Sequence, residues 1–407
     1  MIIKTYIFWT NMRIVISTFL MFMLLGCSTS NENKQASTNA TSNTVDEQGF
    51  ETTDVDGLLF KSGKFYKDCS YFENKECVST DEEIVTLPSY GYLDAGDIVL
   101  TIRGFIYNSN ANFVTRLAFV SLLESQVDVS VTEPTDLNSR IDPFLSSRIE
   151  AEQIMIQIGT HYYELNASTS SGNFSTKIKI SRSKYNELLS AQGSSNTIKY
   201  RIVLTAEDTR EIEGVVSVIT PQGTVVISDI DDTVKVSGVY ISKSKVLENT
   251  FFKKPQVIQN MQTLLHTIKD ENSETTFHYV SGSPKQLATQ LVRFFDDNNF
   301  EISSLYLRDF ALSLRATELY DFFDANSTRI HKRTSITTLF EDFPDSKFIL
   351  IGDTGEKDPE VYGEFLKKYS QKIETIYLRN VTDENATNLR MKQAFGAYVG
   401  QVKFILP

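Results

Sequence analysis

Acidic, hydroxyl and basic side chains follow short apolar segments in the second half of the sequence. In chain order they are Asp229, Asp231, Thr233, Ser281, Lys332, Asp353 and Asp358. Closely spaced carboxylates repel each other unless a cation or a proton lies between them, and an incomplete cluster of oxygen ligands favours Mg²⁺. A lysine near such a cluster can neutralise a phosphoryl group in transfer. These residue types predict a site for Mg²⁺ and a phosphoryl group.

Asp229 and Asp231 follow an apolar segment that is predicted to be a strand, residues 224–227. Strand side chains alternate, so both carboxylates can project to the same side while Ile230 packs inward. The alternative is a solvated acidic turn in which an aspartate or a threonine caps a helix. The later groups favour a shared site, because they occur in order at the ends of further predicted elements.

Ser281 follows the predicted strand 277–280 and precedes Pro284. Pro284 suits the first position of a helix and Ser283 its cap, so backbone N–H groups and the Ser281 hydroxyl could hold a phosphate at a helix N-terminus. Capping alone would explain Ser283, but it leaves Ser281 and Gly282 unexplained.

Lys332 lies in a basic segment before a helix that is predicted to begin near Ser335. The alternative is a solvated basic turn, and Arg329 or Arg333 could take the place of the lysine.

Residues 348–351 are predicted to form a strand, which is followed by Gly352, Asp353 and, five residues later, Asp358.

Asp353 would complete the metal site at the end of that strand. Asp358 is either a second metal ligand or an orienting group, or else it caps the helix that begins at Pro359. Both interpretations of Asp358 stay open at the level of the sequence.

Beyond Pro221 the sequence alternates apolar strand segments with amphipathic helical segments. The predicted strands are 224–227, 277–280, 304–307, 348–351 and 375–378, and the predicted helices are 255–268, 284–295, 335–343 and 359–369. This alternation indicates an α/β fold with a doubly wound parallel sheet. In such sheets the ligand binds outside the carboxyl ends of the strands.

The preceding part of the chain is rich in short β-prone segments. They are 98–107, 113–122, 153–158, 174–180, 198–206 and 212–219, with a possible helix around 181–191. Short strands separated by turn residues predict an antiparallel, sandwich-like domain. This part contains no cluster of catalytic residue types.

The composition limits the function classes. The chain has 407 residues, of which 41% are hydrophobic, and a net charge of −12. It is long enough for about two folded domains. Its acidity gives no general surface for nucleic acid, so no nucleic-acid partner is expected. No protein partner can be named from the sequence.

The N-terminus predicts export. Basic residues precede an apolar run at 14–25 that is too short to span a bilayer of about 30 Å. Residues 24–27 resemble the lipobox of bacterial lipoproteins, which makes Cys27 the expected lipid-anchored N-terminus. We expect a signal peptide at 1–26, a flexible tether at 27–57, a β-rich accessory domain at 58–220 and a catalytic domain at 221–407.

These boundaries predict a protein anchored in the bacterial cell envelope, on the outer membrane or the periplasmic side. Cys69 and Cys77 would then lie where disulfides persist, as a bridge or as two free thiols. A bridge would stabilise the fold by roughly 2–3 kcal/mol.

The four motifs, taken in order, resemble the haloacid dehalogenase superfamily of phosphohydrolases. Residues 227–235, 277–284, 307–310, 343–344 and 351–356 are similar to the catalytic domain of the actin-patch type of phosphatidate phosphatase. Pro88–Tyr92 and residues 99–105 are similar to the β-rich domain that precedes it in bacterial members. The resemblance implies Mg²⁺-dependent hydrolysis of phosphatidate to diacylglycerol and phosphate, at a membrane surface.

The resemblance also implies residue roles. Asp229 would be the nucleophile that forms an aspartyl-phosphate, and Asp231 the acid and then the base. Mg²⁺ would be held by Asp229, Asp353 and the backbone carbonyl of Asp231. Asp358 is a further candidate ligand because of its position in the sequence and not because of the resemblance. Ser281 and Lys332 would bind the phosphoryl oxygens, and Thr233 would orient the loop.

Two features of the sequence bear on the substrate. Lys285 stands where the family usually has an aromatic residue, so the shape or the charge of the substrate entrance is expected to differ from the family pattern. The segment 234–285 carries seven lysines and four acidic residues, which either face anionic lipid around Phe251 and Phe252 or solvate a surface over two core phenylalanines. A phosphatase for a soluble phosphomonoester and a non-catalytic phosphatidate-binding module are the alternative functions.

Overall fold

The computed structural model describes residues 78–108, 112–127, 134–205, 208–219, 223–310 and 324–407. All of them lie in one compact unit of the chain, Thr44–Pro407. The predicted signal peptide, the anchor at Cys27, the tether, Cys69 and Cys77 lie outside the described residues. No helix in the described ranges is both long and apolar enough to cross a membrane.

The first part of the described chain is rich in strands, as predicted. Its elements are β1 (Glu82–Thr86), β2 (Ser89–Asp94), β3 (Asp97–Asn108), α1 (Phe113–Ser125), α2 (Leu137–Ile141), β4 (Ser147–Arg148), β5 (Met155–Ile158), β6 (His161–Glu164), β7 (Asn173–Ile180), α3 (Arg182–Gln192), β8 (Thr197–Ile202) and β9 (Glu213–Ile219). The possible helix around 181–191 is confirmed as α3.

The strands of this part are joined by hydrogen bonds into one nine-stranded sheet, where a sandwich of separate antiparallel sheets was expected. The long strand β3 pairs with β1, β2, β4 and β7. The pair β2–β9 is parallel. Apolar residues of β3, β5, β7, β8 and β9 form a common buried core, most of them aliphatic.

The predicted strand at 113–122 is wrong, because this segment is helix α1. The Asn112 side chain accepts a hydrogen bond from the Thr115 N–H at 2.9 Å and caps the helix. Phe119, Val120 and Leu123 are buried on one face of α1. Helical spacing of these apolar residues, together with the cap, outweighs the β preference of the individual residues.

The second part alternates strands and helices. Its elements are β10 (Thr224–Ser228), α4 (Lys243–Leu247), a π-helical turn (Glu248–Phe252), α5 (Gln259–Glu271), β11 (Thr276–Pro284), α6 (Ala288–Asp297), β12 (Ser304–Arg308), α7 (Ala325–Asp342), β13 (Lys347–Asp353), α8 (Asp358–Lys368), β14 (Ile373–Arg379), α9 (Leu389–Phe395) and β15 (Val402–Ile405).

The strands of the second part form a six-stranded sheet in the order β12-β11-β10-β13-β14-β15. Every neighbouring pair is parallel, as predicted. Alternate strand residues enter two cores: Val226 and Ile351 join the core under α5 and α6, whereas Val225 and Leu350 join the core under α7, α8 and α9. The strand order reverses at β10, where ligands of doubly wound sheets bind.

Helix α7 begins ten residues before the predicted start at Ser335. Asp324 caps it by accepting hydrogen bonds from the N–H groups of Asn326 and Ser327. The first turns carry polar side chains, so apolar periodicity is visible only from Ile336 onward. Lys332 therefore lies inside the helix and not in the loop before it.

The two parts share one hydrophobic core. Phe105, Phe119 and Phe144 belong to the same buried cluster as Phe251 and Phe310. Polar contacts join the parts as well. These include Tyr90 Oη to Asp342 Oδ2 at 2.6 Å, Tyr90 Oη to Tyr306 Oη at 3.0 Å, and Arg140 Nη1 to Lys253 O at 2.7 Å. The β-rich part therefore packs against β12, the end of α7 and the π-helical turn of the second part.

Candidate active site

The parallel register brings the predicted strand-end residues to one edge of the sheet. Ser228, the last residue of β10, pairs with Tyr279 of β11 and with Ile351 of β13. The N–H of Asp229 donates to the carbonyl of Ile351 at 2.8 Å, so Asp229 is fixed by the backbone of the neighbouring strand.

Three of the predicted carboxylates meet at this edge. Asp229, Asp353 and Asp358 are fully buried, and each has a carboxylate oxygen within 4.8 Å of the others. Among the described residues, Oδ2 of Asp229 and Oδ2 of Asp353 are buried without a hydrogen-bond donor, whereas Oδ1 of Asp229 faces the ammonium of Lys332. Buried carboxylate oxygens without donors suit Mg²⁺, which prefers oxygen ligands.

Burial is the main cause that raises the pKa of Asp229 and of Asp353 well above the ordinary value. The nearby carboxylates of Asp358 and Glu356 raise both pKa values further, and the ammonium of Lys332 opposes the shift. The cluster thus has more negative charge than the protein groups around it balance. A divalent cation would restore the balance.

Lys332 is the cation that the sequence predicted for this site. Its Nζ atom lies 2.8 Å from Asp229 Oδ1, 2.5 Å from Asp358 Oδ1 and 2.8 Å from Glu356 Oε2. The side chain is buried in helix α7. The alternatives do not fit: Arg329 pairs with Glu364 on the surface, and Arg333 is exposed.

Glu356 is a site residue that sequence reasoning missed. It lies three residues after Asp353, and its carboxylate is mostly buried beside Lys332. Burial raises its pKa above the ordinary value, and Lys332 opposes the shift. The sequence offered one indication of this role, because Glu356 lies between the predicted site residues Asp353 and Asp358. An acidic residue in a loop has no spacing that distinguishes a site residue from a solvated one.

Asp358 acts through its side chain at the cluster and does not cap α8. It is the first residue of that helix, and its Oδ2 accepts a hydrogen bond from the N–H of Asp353 at 3.2 Å. Gly352 makes this packing feasible, because a Cβ there would lie 2.8 Å from the Cβ of Asp358.

The Asp231 side chain is not part of the three-aspartate cluster, and its carboxylate contacts a different set of polar groups. Its Oδ1 accepts a hydrogen bond from Ser237 Oγ at 2.5 Å and lies 2.9 Å from Lys235 Nζ. Its Oδ2 accepts from Ser281 Oγ at 2.9 Å and from Ser283 Oγ at 2.6 Å. Burial opposes ionisation, but Lys235 and the hydroxyls outweigh it and lower the pKa of Asp231 below its ordinary range.

The predicted helix after β11 is confirmed with a shifted start. Strand β11 continues through Pro284, a 3-10 turn at Lys285–Leu287 follows directly, and α6 continues from Ala288. Ser283 does not cap a helix, because its hydroxyl is used by Asp231. Gly282 allows close packing of β11 against α7, since a Cβ there would lie 2.6 Å from Thr328 Cγ2. Ser281 is buried at the site edge, and its hydroxyl donates to Asp231.

Two loop residues after β10 differ in their roles. Thr233 is buried, and its hydroxyl has no hydrogen-bond partner among the residues described. Asp232, which sequence reasoning left without a role, adopts a φ of 55°. Its carboxylate accepts hydrogen bonds from the N–H groups of Ser237, Gly238 and Val239 at 3.0, 2.8 and 2.5 Å. Asp232 therefore fixes the loop that surrounds Asp231.

A cavity of about 250 Å³ opens onto Asp231 and Glu356. Its wall combines polar groups such as Ser283 and Lys243 with apolar groups such as Val239 and Val246. The rest of the wall is formed by Thr250, Gly282, Ala325, Thr328, Gly355 and Lys357. The site is therefore reached through a pocket with both polar and apolar walls.

Lys285 does not line this cavity. It is buried, and its Nζ donates to Ser171 O at 2.6 Å and lies 3.0 Å from Asp309 Oδ1. Burial is the main cause that lowers the pKa of Lys285. The departure from the family pattern thus falls at the contact between the two parts of the chain. Phe251 and Phe252 are core residues.

Comparison with known proteins agrees with this geometry. A family model described as the catalytic domain of phosphatidate phosphatase APP1 matches residues 224–380, which contain every predicted site residue. This segment is similar to the APP1-type catalytic domain.

Two relatives show how far the similarity extends. Phosphatidate phosphatase APP1 of Saccharomyces cerevisiae is 27% identical over 258 residues, which cover 62% of this chain and 42% of the yeast protein. An uncharacterized protein of Schizosaccharomyces pombe is 35% identical over 172 residues, or 42% of this chain and 27% of that protein. The chain thus spans less than half the length of either relative. The yeast alignment is longer than the APP1-type domain and extends beyond it.

Proposed function

We propose that this protein is a Mg²⁺-dependent phosphatidate phosphatase that hydrolyses phosphatidate, or a related phospholipid phosphomonoester, to diacylglycerol and phosphate. The observation that carries the proposal is the placement of Asp229. It is buried at the carboxyl end of β10, beside two further carboxylates and Lys332, within a segment that is similar to the APP1-type catalytic domain. The parallel sheet and the order of the motifs support a haloacid dehalogenase-like fold.

Asp229, Asp353 and Asp358 are the residues that would hold Mg²⁺, because their oxygens converge in a buried cluster. The backbone carbonyl of Asp231 would add a ligand. When bound, the cation would neutralise charge on the phosphoryl oxygens and on the cluster. This would also keep Asp229 in the carboxylate form that a nucleophile requires.

Asp229 would attack phosphorus, and the bond from phosphorus to the lipid oxygen would break. The products of this step are an aspartyl-phosphate and, after protonation by Asp231, the free alcohol of diacylglycerol. Water would then attack the aspartyl-phosphate, Asp231 would take its proton, and phosphate would leave. Lys332 would stabilise charge on the phosphoryl oxygens throughout.

The contacts of Asp231 suit the second half of this cycle. Lys235 and three serine hydroxyls stabilise its carboxylate, which is the form that accepts a proton from water. In the first half of the cycle Asp231 must be protonated. A negatively charged phosphoryl group bound nearby would favour this form, because it would raise the pKa of Asp231. Capture of the Ser281 hydroxyl by a phosphoryl oxygen would remove one hydrogen bond from Asp231 and act in the same direction.

We also propose that the enzyme works at a membrane surface of the bacterial cell envelope, anchored through Cys27. The sequence motif at 24–27 supports the anchor. The yeast relative that acts on phosphatidate supports a lipid substrate.

The test uses the chain from Thr44 to Pro407, which contains all the described cores. Phosphate release from phosphatidate in mixed micelles is measured with Mg²⁺ and with a chelator, beside the Asp229→Asn variant and the surface control Asp345→Asn. We expect release that needs Mg²⁺, survives in Asp345→Asn and disappears in Asp229→Asn.

Soluble phosphomonoesters are assayed in parallel. Release from those esters alone would replace the proposal with a phosphatase for a soluble substrate. Binding of phosphatidate without turnover would instead indicate a binding module. Full turnover by Asp229→Asn would overturn the nucleophile assignment.

A further inference from the structure

We propose that an apolar rim beside the cavity docks the enzyme onto the surface of an anionic phospholipid bilayer. The apolar rim consists of Tyr240 and Ile241 in the loop before α4, and of Phe113, Val114 and Leu117 on α1. This inference rests on the proposed function, since it explains how a lipid headgroup would reach the site.

The first half of the rim lies at the mouth of the cavity. Val239 and Lys243, which flank Tyr240 and Ile241 in sequence, both line the cavity. Tyr240 also packs closely on the loop between Asp353 and Asp358. A Cβ placed on Gly355 in this loop would lie only 2.7 Å from the Tyr240 Cβ. Despite this position, Tyr240 is 41% exposed and Ile241 is 59% exposed.

The loop that carries these residues is held in place. Asp232 accepts hydrogen bonds from the N–H groups of Gly238 and Val239, directly before Tyr240. The hydroxyl of Ser242, directly after Ile241, accepts a hydrogen bond from the Lys245 N–H at 3.1 Å and caps α4. The two apolar side chains are thus displayed at a fixed position and not on a long unanchored loop.

The second half of the rim lies on α1, which packs behind the cavity wall. Phe119 in the middle of α1 packs against Phe251 with ring centroids 6.2 Å apart, and Thr250, next to Phe251 in sequence, lines the cavity. In the first turns of α1, Phe113 is 75% exposed and Leu117 is 56% exposed. Val114 is 54% exposed. Large apolar groups exposed together next to a binding cavity mark an interaction surface.

The chemistry of the rim favours a bilayer as the occupant. A tyrosine and an aliphatic side chain next to a lysine match the composition of membrane interfaces, where aromatic rings lie at headgroup level and lysines meet anionic lipid. Lys243 is exposed and lines the cavity, and Lys254 is exposed two residues after the buried Phe252. Lys253 is exposed as well, and its ammonium pairs with Glu248. A phospholipid is also the substrate that the cavity is proposed to receive.

Binding to vesicles tests this inference without requiring turnover. The chain from Thr44 is mixed with vesicles of phosphatidylcholine containing phosphatidylglycerol, and the bound fraction is measured by flotation. We compare the double variants Tyr240→Ser/Ile241→Ser and Phe113→Ser/Leu117→Ser with Val215→Ser, whose side chain is similarly exposed on β9. We expect each rim variant to weaken binding at least about tenfold, a loss near 1.4 kcal/mol, and the control to bind normally.

A second measurement separates docking from catalysis. A short-chain phosphatidate that stays in solution should be hydrolysed equally by the parent protein and the α1 variant Phe113→Ser/Leu117→Ser, whereas hydrolysis in vesicles should fall with the loss of binding. Unchanged vesicle binding in both rim variants, or failure of the parent to bind, would overturn the inference. Loss of self-association in the variants with unchanged vesicle binding would overturn it in favour of a protein interface. Vesicle binding without hydrolysis of either substrate would overturn the proposed function alone.

Discussion

The Nζ atom of Lys332 lies 2.8 Å from Oδ1 of Asp229, and both side chains are buried. Lys332 reaches this position from the third turn of α7, whereas Asp229 follows β10. The same ammonium contacts Asp358 and Glu356. The Lys332 ammonium therefore contacts the proposed nucleophile Asp229, the proposed metal ligand Asp358, and Glu356 in the cavity wall.

Replacement of Lys332 by methionine should destabilise the fold as well as abolish activity. The variant leaves buried carboxylates without their counter-ion, and removal of one partner from a buried ion pair costs about 3–5 kcal/mol. Urea unfolding in the presence of chelator measures this loss. Arg329→Met is the control, since its exposed pair with Glu364 should contribute less than about 1 kcal/mol. Equal losses in the two variants would contradict the structural role of Lys332.

Mg²⁺ should raise the unfolding temperature of the parent protein through the carboxylate cluster. Ligand at about 100 times its dissociation constant stabilises the folded state by about 2.7 kcal/mol. Asp353→Asn should reduce this Mg²⁺-dependent shift, whereas the exposed Asp345→Asn should keep it. Differential scanning fluorimetry with Mg²⁺ and with chelator gives the comparison. A full shift in Asp353→Asn would remove that residue from the proposed metal site.

Asp232→Ala should destabilise the loop around Asp231. The variant removes the acceptor for three backbone N–H groups and places alanine at a φ of 55°, and the two effects together should cost about 2–4 kcal/mol. Asp232→Asn should cost less, because asparagine keeps an acceptor oxygen and tolerates this backbone conformation. Denaturant unfolding of the two variants distinguishes them. If Asp232→Ala and Asp232→Asn lose the same free energy of unfolding, a side-chain oxygen at position 232 does not hold this loop in place.

His278 should make stability fall in acid. It is fully buried in β11, its Nδ1 lies 2.7 Å from Ser304 Oγ, and burial lowers its pKa from 6.5 to about 3. Below pH 6.5 the unfolded chain binds a proton that the folded chain does not, so this residue removes up to about 1.4 kcal/mol of stability per pH unit, until the pH reaches the folded pKa.

The slope is measured by unfolding at a series of pH values. His278→Gln should flatten it, whereas His266→Gln, at an exposed position on α5, should leave it unchanged. If the parent and His278→Gln lose stability in parallel between pH 6.5 and 4, His278 is not the cause.

The alternation of strands and helices after Pro221 was evident from the sequence, because buried parallel strands are short continuous apolar segments and their covering helices have an apolar face. The same pattern located Asp229, Ser281 and Asp353, since residues at the ends of parallel strands share one edge. The order of these motifs was enough to indicate the family, and the match of residues 224–380 confirmed it.

The boundaries of the elements depended on long-range contacts and capping. Residues 113–122 have β-prone side chains, yet the cap at Asn112 and the packing of Phe119 on Phe251 make them a helix. The polar first turns of α7 concealed its start. Strand β11 continues to Pro284 because β12 pairs with it there.

The sequence by itself determined that Asp229, Ser281 and Asp353 lie at the sheet edge, because each of them follows or ends a predicted parallel strand. Only the tertiary structure decided what each group contacts. It paired Lys332 with Asp229, brought Glu356 beside them, and directed Ser281 and Ser283 to Asp231. These contacts join residues 24 to 103 positions apart, and their geometry depends on how helices and loops pack over the sheet.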